Sequence, residues 1–193
     1  CFNIFYHIAA CILLFILLGR LQVNSIATFL LTLLFAVHPV LAQAIAWIPG
    51  RNDILLTIFV LASFLFLLDY IESKKNQKLF WHFVFFAFAL FSKETGLMLI
   101  PISLFYLQFT SKDKLFSKIK SFLLLGYSII VLPWFFLRTH ALIGSSINTS
   151  ANTALSTVIK NAPFILPYIG KAVLPFHLSV MFMLADSNYV FPI

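Results

Sequence analysis

Residues 75–109 read KNQKLFWHFVFFAFALFSKETGLMLIPISLFYLQF, and the way this stretch folds decides the layout of everything after it. Two apolar runs flank the sequence Ser92-Lys93-Glu94-Thr95-Gly96. In one unbroken membrane helix Lys93 and Glu94 would sit deep in lipid, at roughly 2.5–3.5 kcal/mol per charge on insertion scales. In a hairpin the two charges and the glycine form the tip. The lysines before and after the stretch then fall on one side, where cytoplasmic loops carry their bases. The stretch predicts a hairpin.

The same character extends outward in both directions. Of 193 residues, 62% are hydrophobic and 10% charged, against about a quarter charged in an ordinary globular chain. The mean hydropathy is +1.02. Lipid is the natural solvent for such a chain, and an all-α, polytopic transmembrane bundle is expected. About seven membrane segments can be marked, near residues 2–18, 23–37, 54–68, 75–91, 96–109, 121–137 and 162–184. Several fall short of the ~20 residues that cross hydrocarbon upright, so flanking turns and snorkelling lysines must supply length.

A net charge of +7 does not indicate nucleic acid, because the bases lie between apolar segments rather than along one face. With the first segment running outside to inside, the inner loops hold Arg20, Lys74, Lys75, Lys78, Lys112, Lys114, Lys118 and Lys120. The outer loops hold Arg51, Lys93, Arg138 and Lys160. That asymmetry sets the orientation and brings lysines to membrane lipid headgroups. Cys1 and Cys11 are too few for a disulfide framework.

The outer side collects the unusual polar residues. From His38-Pro39 to Gly50-Arg51-Asn52-Asp53 the chain is amphipathic and suits a short interfacial helix closed by Gly50. Arg51, Lys93 and Arg138 can converge there, with His38, Asp53, Glu94 and His140 near them. Cations among a few acids at a membrane surface suit a lipid-linked phosphate, with Asp53 and Glu94 orienting the cations. Each residue also has a local reading. Arg51 with Asp53 could pair or cap the third segment, Lys93 with Glu94 could be a solvated turn, and His38 could close a helix end. His82 and His177 read as interface packing. Asn3 and His7, at i and i+4, share a helix face suited to an inter-helix polar contact. The sequence has no HExxH, CxxC, glycine-rich phosphate loop or GxSxG elbow. Its five histidines are scattered, so no metal site is indicated.

The run Phe35-Ala36-Val37-His38-Pro39, continued by Ala46-Trp47-Ile48-Pro49-Gly50-Arg51-Asn52-Asp53, resembles membrane glycosyltransferases of the GT-C class. It is similar in particular to proteins with an O-mannosyltransferase-like membrane half followed by tetratricopeptide repeats. Asn3 to His7, Leu90 to Glu94 and Tyr168 to Ser179 match further pieces in order. Leu41 and Gln43 depart from the His or Glu often found after the His-Pro pair.

The resemblance implies a fragment, 1–193, of a GT-C-like domain that opens at the second helix, with repeats expected after Ile193. It implies transfer of a sugar from a polyprenyl phosphate to a protein or glycan hydroxyl on the extracytoplasmic face. The catalytic base is then expected in a loop upstream of Cys1, and metal dependence stays open because GT-C members differ on it. The donor-binding set is Arg51, Lys93, Arg138 and His38. A bacterial plasma membrane is preferred to endoplasmic reticulum on composition. The competing functions are a transporter or flippase for a lipid-linked or anionic solute, which would show repeat symmetry and midplane polar groups, and a non-catalytic anchor.

Overall fold

A computed structural model describes residues 2–46, 50–110, 114–142, 162–164 and 169–170. The described residues are helical, with no strand among them, as expected. Seven α-helices follow one another: α1 (Phe2–Arg20), α2 (Ser25–Val37), α3 (Ala42–Ala46), α4 (Arg51–Ser73), α5 (Asn76–Ser92), α6 (Leu99–Thr110) and α7 (Lys114–Leu142). Short 3₁₀ turns span Pro39–Leu41, Glu94–Met98 and Ala162–Phe164.

The chain divides into two compact units. One comprises Cys1–Val37 with Ala44–Ile143; the other comprises His38–Gln43 with Gly144–Ile193. In the second unit, the turn Pro39–Leu41 starts at a proline, and the His38 ring accepts the Val40 N–H at 3.3 Å. The expected seventh segment lies almost wholly outside the described residues, as do Lys171 and the sequence Asn148-Thr149-Ser150.

The first unit carries the helical bundle. Three helical stretches in it are long and apolar enough to cross a membrane: Phe2–Arg20, Arg51–Ser73 and Ile119–Ala141. The expectation of about seven spans is therefore not met by helix length among the described residues. At 13, 17 and 12 residues, α2, α5 and α6 are shorter than the ~20 residues of an upright span, so their flanking turns must complete any crossing. Conversely, α4 takes in Arg51 to Asp53 and Asp69 to Ser73, and α7 starts at Lys114, because charged flanks continue a helix readily.

Buried residues of α1 are Asn3, Ala10 and Leu17, seven apart, a narrow seam that lets α1 lie close to α4. The most extensive pairing is α4 with α5, the two being joined by a two-residue link. Lys74 ends α4 in a left-handed conformation (φ 55°) and donates its N–H to the Tyr70 carbonyl at 2.8 Å. Leu67, Phe86, Leu90, Leu99, Leu107, Leu123 and Tyr127 fill the common core. Phenylalanines such as Phe29, Phe88, Phe105, Phe122 and Phe136 face outward, as lipid-facing positions should.

Residues 75–109 form two helices with a break at Lys93, as the hairpin reading requires. Lys93 is extended (φ −160°, ψ 141°) and caps α5 through its N–H to the Ala89 carbonyl. The Gly96 N–H then returns to the Lys93 carbonyl at 2.9 Å. A Cβ on Gly96 would lie 2.9 Å from the Ala89 carbonyl carbon and 3.0 Å from the Leu90 nitrogen. Backbone cannot yield there, so the turn closes only with glycine at this position.

A polar cluster missed by sequence reasoning sits inside this bundle. His82 is fully buried rather than at the interface. Its Nδ1 lies 2.9 Å from the Ser63 carbonyl and its Nε2 2.8 Å from the Tyr127 hydroxyl. The Ser63 hydroxyl donates to the His82 carbonyl at 2.7 Å. The imidazole thus bonds α4 through one nitrogen and α7 through the other. The signal in the sequence is a histidine at a position of α5 that shares a face with Leu79, Phe86 and Leu90.

Candidate functional site

The two ends of the first unit are both charged, and differently built. At one end Arg20 of α1 pairs with Asp69 and Glu72 of α4, and Lys78 of α5 shares Asp69 at 2.9 Å. Lys120 near the start of α7 bonds Gln108 of α6. Three helices are tied there by ionic groups whose charges largely cancel, and α6 is tied to α7 through a neutral amide.

At the opposite end lie the start of α1, the start of α4, the tip Lys93–Gly96 and the end of α7. Lys93 pairs with Asp53, forty residues earlier on α4. Its neighbour Glu94 pairs with Arg138 of α7 at 3.0 Å. Extended backbone at Lys93 sends successive side chains to opposite sides, so one dipeptide reaches two helices. Arg138 also lies over the Trp134 ring at 5.5 Å, one turn back on its own helix. His140 stacks edge-on against Phe136 instead of turning to the acids.

Arg51 stands apart in its chemistry. Its Nε donates to Oδ1 of Asn3 at 3.1 Å, a neutral partner. Among the described residues no carboxylate lies within ion-pairing distance of it, whereas Lys93 and Arg138 each have one. Asn3 is 9% exposed, and its Nδ2 donates to the Ile45 carbonyl at 3.0 Å. One turn further along α1, the His7 ring bonds the Ala36 carbonyl at 3.1 Å and stacks on Phe35. The shared face of Asn3 and His7 does make inter-helix polar contacts.

Of the six residues singled out in the sequence, Arg51, Asp53, Lys93, Glu94 and Arg138 thus sit at one end of the first unit. His38 belongs to the second. An inter-helix polar contact was legible for Asn3 from the face it shares with His7; its partner Arg51 was not. Among the described residues no three His, Cys, Asp or Glu side chains are grouped to hold a metal ion. The α4 N-terminus at Gly50 has no side-chain cap, so its first N–H groups face the same end as Arg51 without a side chain of their own.

Apolar helices with ionic groups confined to their ends define an integral membrane protein of several helices. The profile of the dolichyl-phosphate-mannose-protein mannosyltransferase family matches residues 2–136, and the chain belongs to that family. It is 40% identical over 108 residues to a protein O-mannosyl-transferase of Caenorhabditis elegans, F38B6.6, covering 53% of this chain and 14% of that protein. It is also similar to the human protein O-mannosyl-transferases TMTC3, at 30% over 110 residues, and TMTC4, at 35% over 91 residues. Those matches cover 54% and 44% of this chain, and 12% of each human protein. The chain therefore spans only a small part of the length of these relatives. No solved structure matches. The GT-C-like, O-mannosyltransferase-like resemblance is thereby established. These relatives are animal proteins, which gives the expected bacterial plasma membrane no support.

Proposed function

We propose that this chain supplies the donor-binding part of a membrane O-mannosyltransferase, with Arg51 receiving the phosphate of a polyprenyl-phosphate-linked mannose. The acceptor is a protein hydroxyl at the extracytoplasmic or lumenal face. The observation that carries this reading is the unequal treatment of the three cations. Lys93 and Arg138 are each offset by an acid, while Arg51 has, among the described residues, a neutral side chain and no carboxylate beside it. Membership of a dolichyl-phosphate-mannose-protein mannosyltransferase family supports a lipid-linked mannose as the substrate class.

In such a reaction the acceptor hydroxyl gives its proton to a general base as its oxygen attacks the anomeric carbon of the sugar, and the bond from that carbon to the phosphate oxygen breaks. Negative charge grows on the departing phosphate. A preorganised guanidinium in a partly dry site stabilises that charge more than it stabilises the ground state. Asp53 and Glu94 are occupied by Lys93 and Arg138, which suits them to orient those cations rather than to take the acceptor proton. Lys93 and Arg138, each paired with an acid, belong to the framework of the same helix end.

The lipid part of the donor also finds suitable surface. An apolar groove of about 630 Å³ is lined by Leu17, Val60, Phe64, Leu99, Phe105 and Tyr106, among others. It opens on α4 roughly 13 Å along the helix from Arg51, at 1.5 Å per residue. Apolar, membrane-facing surface of this kind suits an isoprenoid chain whose phosphate stays at the helix end.

The test is mannosyl transfer from a polyprenyl-phosphate mannose by the complete gene product reconstituted in nanodiscs. Arg51→Ala is expected to lower the transfer rate at limiting donor by about 100-fold, the scale at which single oxyanion-stabilising groups act. Transfer at the wild-type rate would remove Arg51 from the reaction. The His82 cluster does not favour a transporter, because its polar atoms are satisfied by one another.

A further inference from the structure

Asn3 makes two hydrogen bonds whose geometry has a consequence for the donor. Its carbonyl oxygen takes the Arg51 Nε–H and its amide nitrogen donates to Ile45, so the side chain is held at both ends and almost wholly buried. A guanidinium has five N–H donors in a fixed plane. With Nε fixed, the plane is set and the two Nη groups project together as a fork. That fork is the geometry that reads a phosphate through two parallel bonds.

The identity of the partner matters as much as its place. An aspartate here would bind the guanidinium more strongly, since charge-assisted bonds are roughly twice as strong as neutral ones. It would also cancel the charge that an incoming phosphate must meet, and it could not donate to the Ile45 carbonyl. The other two cations at this end already carry such partners, Asp53 and Glu94.

We infer that Asn3 is a positioning residue that aims the Arg51 guanidinium at an anionic phosphate while leaving its charge uncancelled. The inference rests on the donor reading above and adds to it the residue that sets Arg51 in place. The ligand chemistry is a phosphate oxyanion at the membrane surface, found in a polyprenyl phosphate and in ordinary phospholipid headgroups alike.

The experiment uses the complete gene product in zwitterionic nanodiscs, which present phospholipid phosphate in excess throughout. Binding of added polyprenyl phosphate, the leaving group of transfer, is compared with binding of the uncharged polyprenol. The wild type is expected to bind the phosphate saturably and at least tenfold more tightly than the alcohol. Asn3→Ala is expected to weaken phosphate binding about fivefold, and Asn3→Asp by tenfold or more. Neither should alter binding of the alcohol. In an Arg51→Ala background, Asn3→Ala should change phosphate affinity by less than twofold, since a residue acting through Arg51 has nothing left to aim. Thermal unfolding of each variant is followed alongside.

If the wild type does not prefer the phosphate over the alcohol, Arg51 reads only bulk headgroups, and the donor reading falls together with the role of Asn3. If the wild type shows the preference and both Asn3 variants keep it, or if the Asn3 and Arg51 effects simply add, the positioning role alone is overturned. Asn3 is then a brace between α1 and Ile45, and lower unfolding temperatures with unchanged phosphate affinity would show it.

Discussion

The ion pair between Lys93 and Asp53 separates the energetic worth of a contact from its use. Both side chains are more than 40% exposed, so the pair stabilises the fold by less than ~1 kcal/mol after solvent screening. Its geometric effect is larger, because it holds the tip against the first turn of α4. Asp53→Asn keeps the shape and removes the charge. The expected outcome is an unfolding midpoint within about 2 °C of wild type in detergent, with transfer lowered about fivefold as Lys93 is released. A fall in transfer matched by a large fall in midpoint would make the pair a stability element instead. The residues of this end were legible one by one, since Arg51, Lys93, Glu94 and Arg138 interrupt runs that are otherwise apolar. Their pairing was not. Asp53 lies two residues from Arg51 in sequence and yet serves Lys93, because positions i and i+2 point to different sides of a helix. Asn3 carries no charge and its partner is 48 residues away, so hydropathy alone gave it no special weight.

Helix contacts in this bundle depend on a few positions where the fit is tight or polar. Gly126 of α7 faces the Phe83 ring, and a Cβ there would come 2.1 Å from the ring edge. Phe83 has little room to swing aside, since it packs edge-on against Tyr127 and beside His82. Gly126→Ala should therefore part α5 from α7 and cost about 1–3 kcal/mol, the usual scale for overpacking. Loss of heat resistance in a thermal-shift assay would register it, whereas a midpoint equal to wild type would show that the ring moves freely. Tyr127→Phe acts on the same interface through its chemistry. It keeps the ring in the core and leaves His82 Nε2 with no partner in a site closed to water, a loss of about 1–3 kcal/mol. A double change, Tyr127→Phe with His82→Phe, should recover part of that loss, because no polar atom is then stranded. Apolar runs located every helix of this unit to within a few residues, apart from the charged flanks. They hinted at a buried His82 only through the face it shares with Leu79, Phe86 and Leu90, and could not give its partners, because Ser63 and Tyr127 lie 19 and 45 residues away.

For the molecule as a whole, the decisive question is which ends of the helices share a side of the membrane. The break at Lys93 reverses the chain, and the ion pairs fix the consequence. Arg20, Asp69 and Lys78 meet at one end, while Asp53, Lys93, Glu94 and Arg138 meet at the other. By the rule that positive loops stay inside, the excess of lysine and arginine in the loops at the first end predicts that this end is cytoplasmic. This ordering was readable from charge alone, since a single helix over residues 75–109 would have stranded Lys93 and Glu94 in lipid. Single cysteines can test it in the complete gene product once its native cysteines, Cys1 and Cys11 among them, are replaced by serine. Lys75→Cys and Thr110→Cys flank the two helices, and Thr95→Cys lies on the exposed tip between them. In sealed right-side-out vesicles, a membrane-impermeant maleimide should label Thr95→Cys at once, and the other two only after the membrane is permeabilised. If Thr95→Cys stayed protected until permeabilisation while Lys75→Cys and Thr110→Cys reacted from opposite faces, residues 75–109 would be one crossing. Lys93 would then lie within the bilayer and Arg138 at its cytoplasmic side, and no single outer phosphate site could include both.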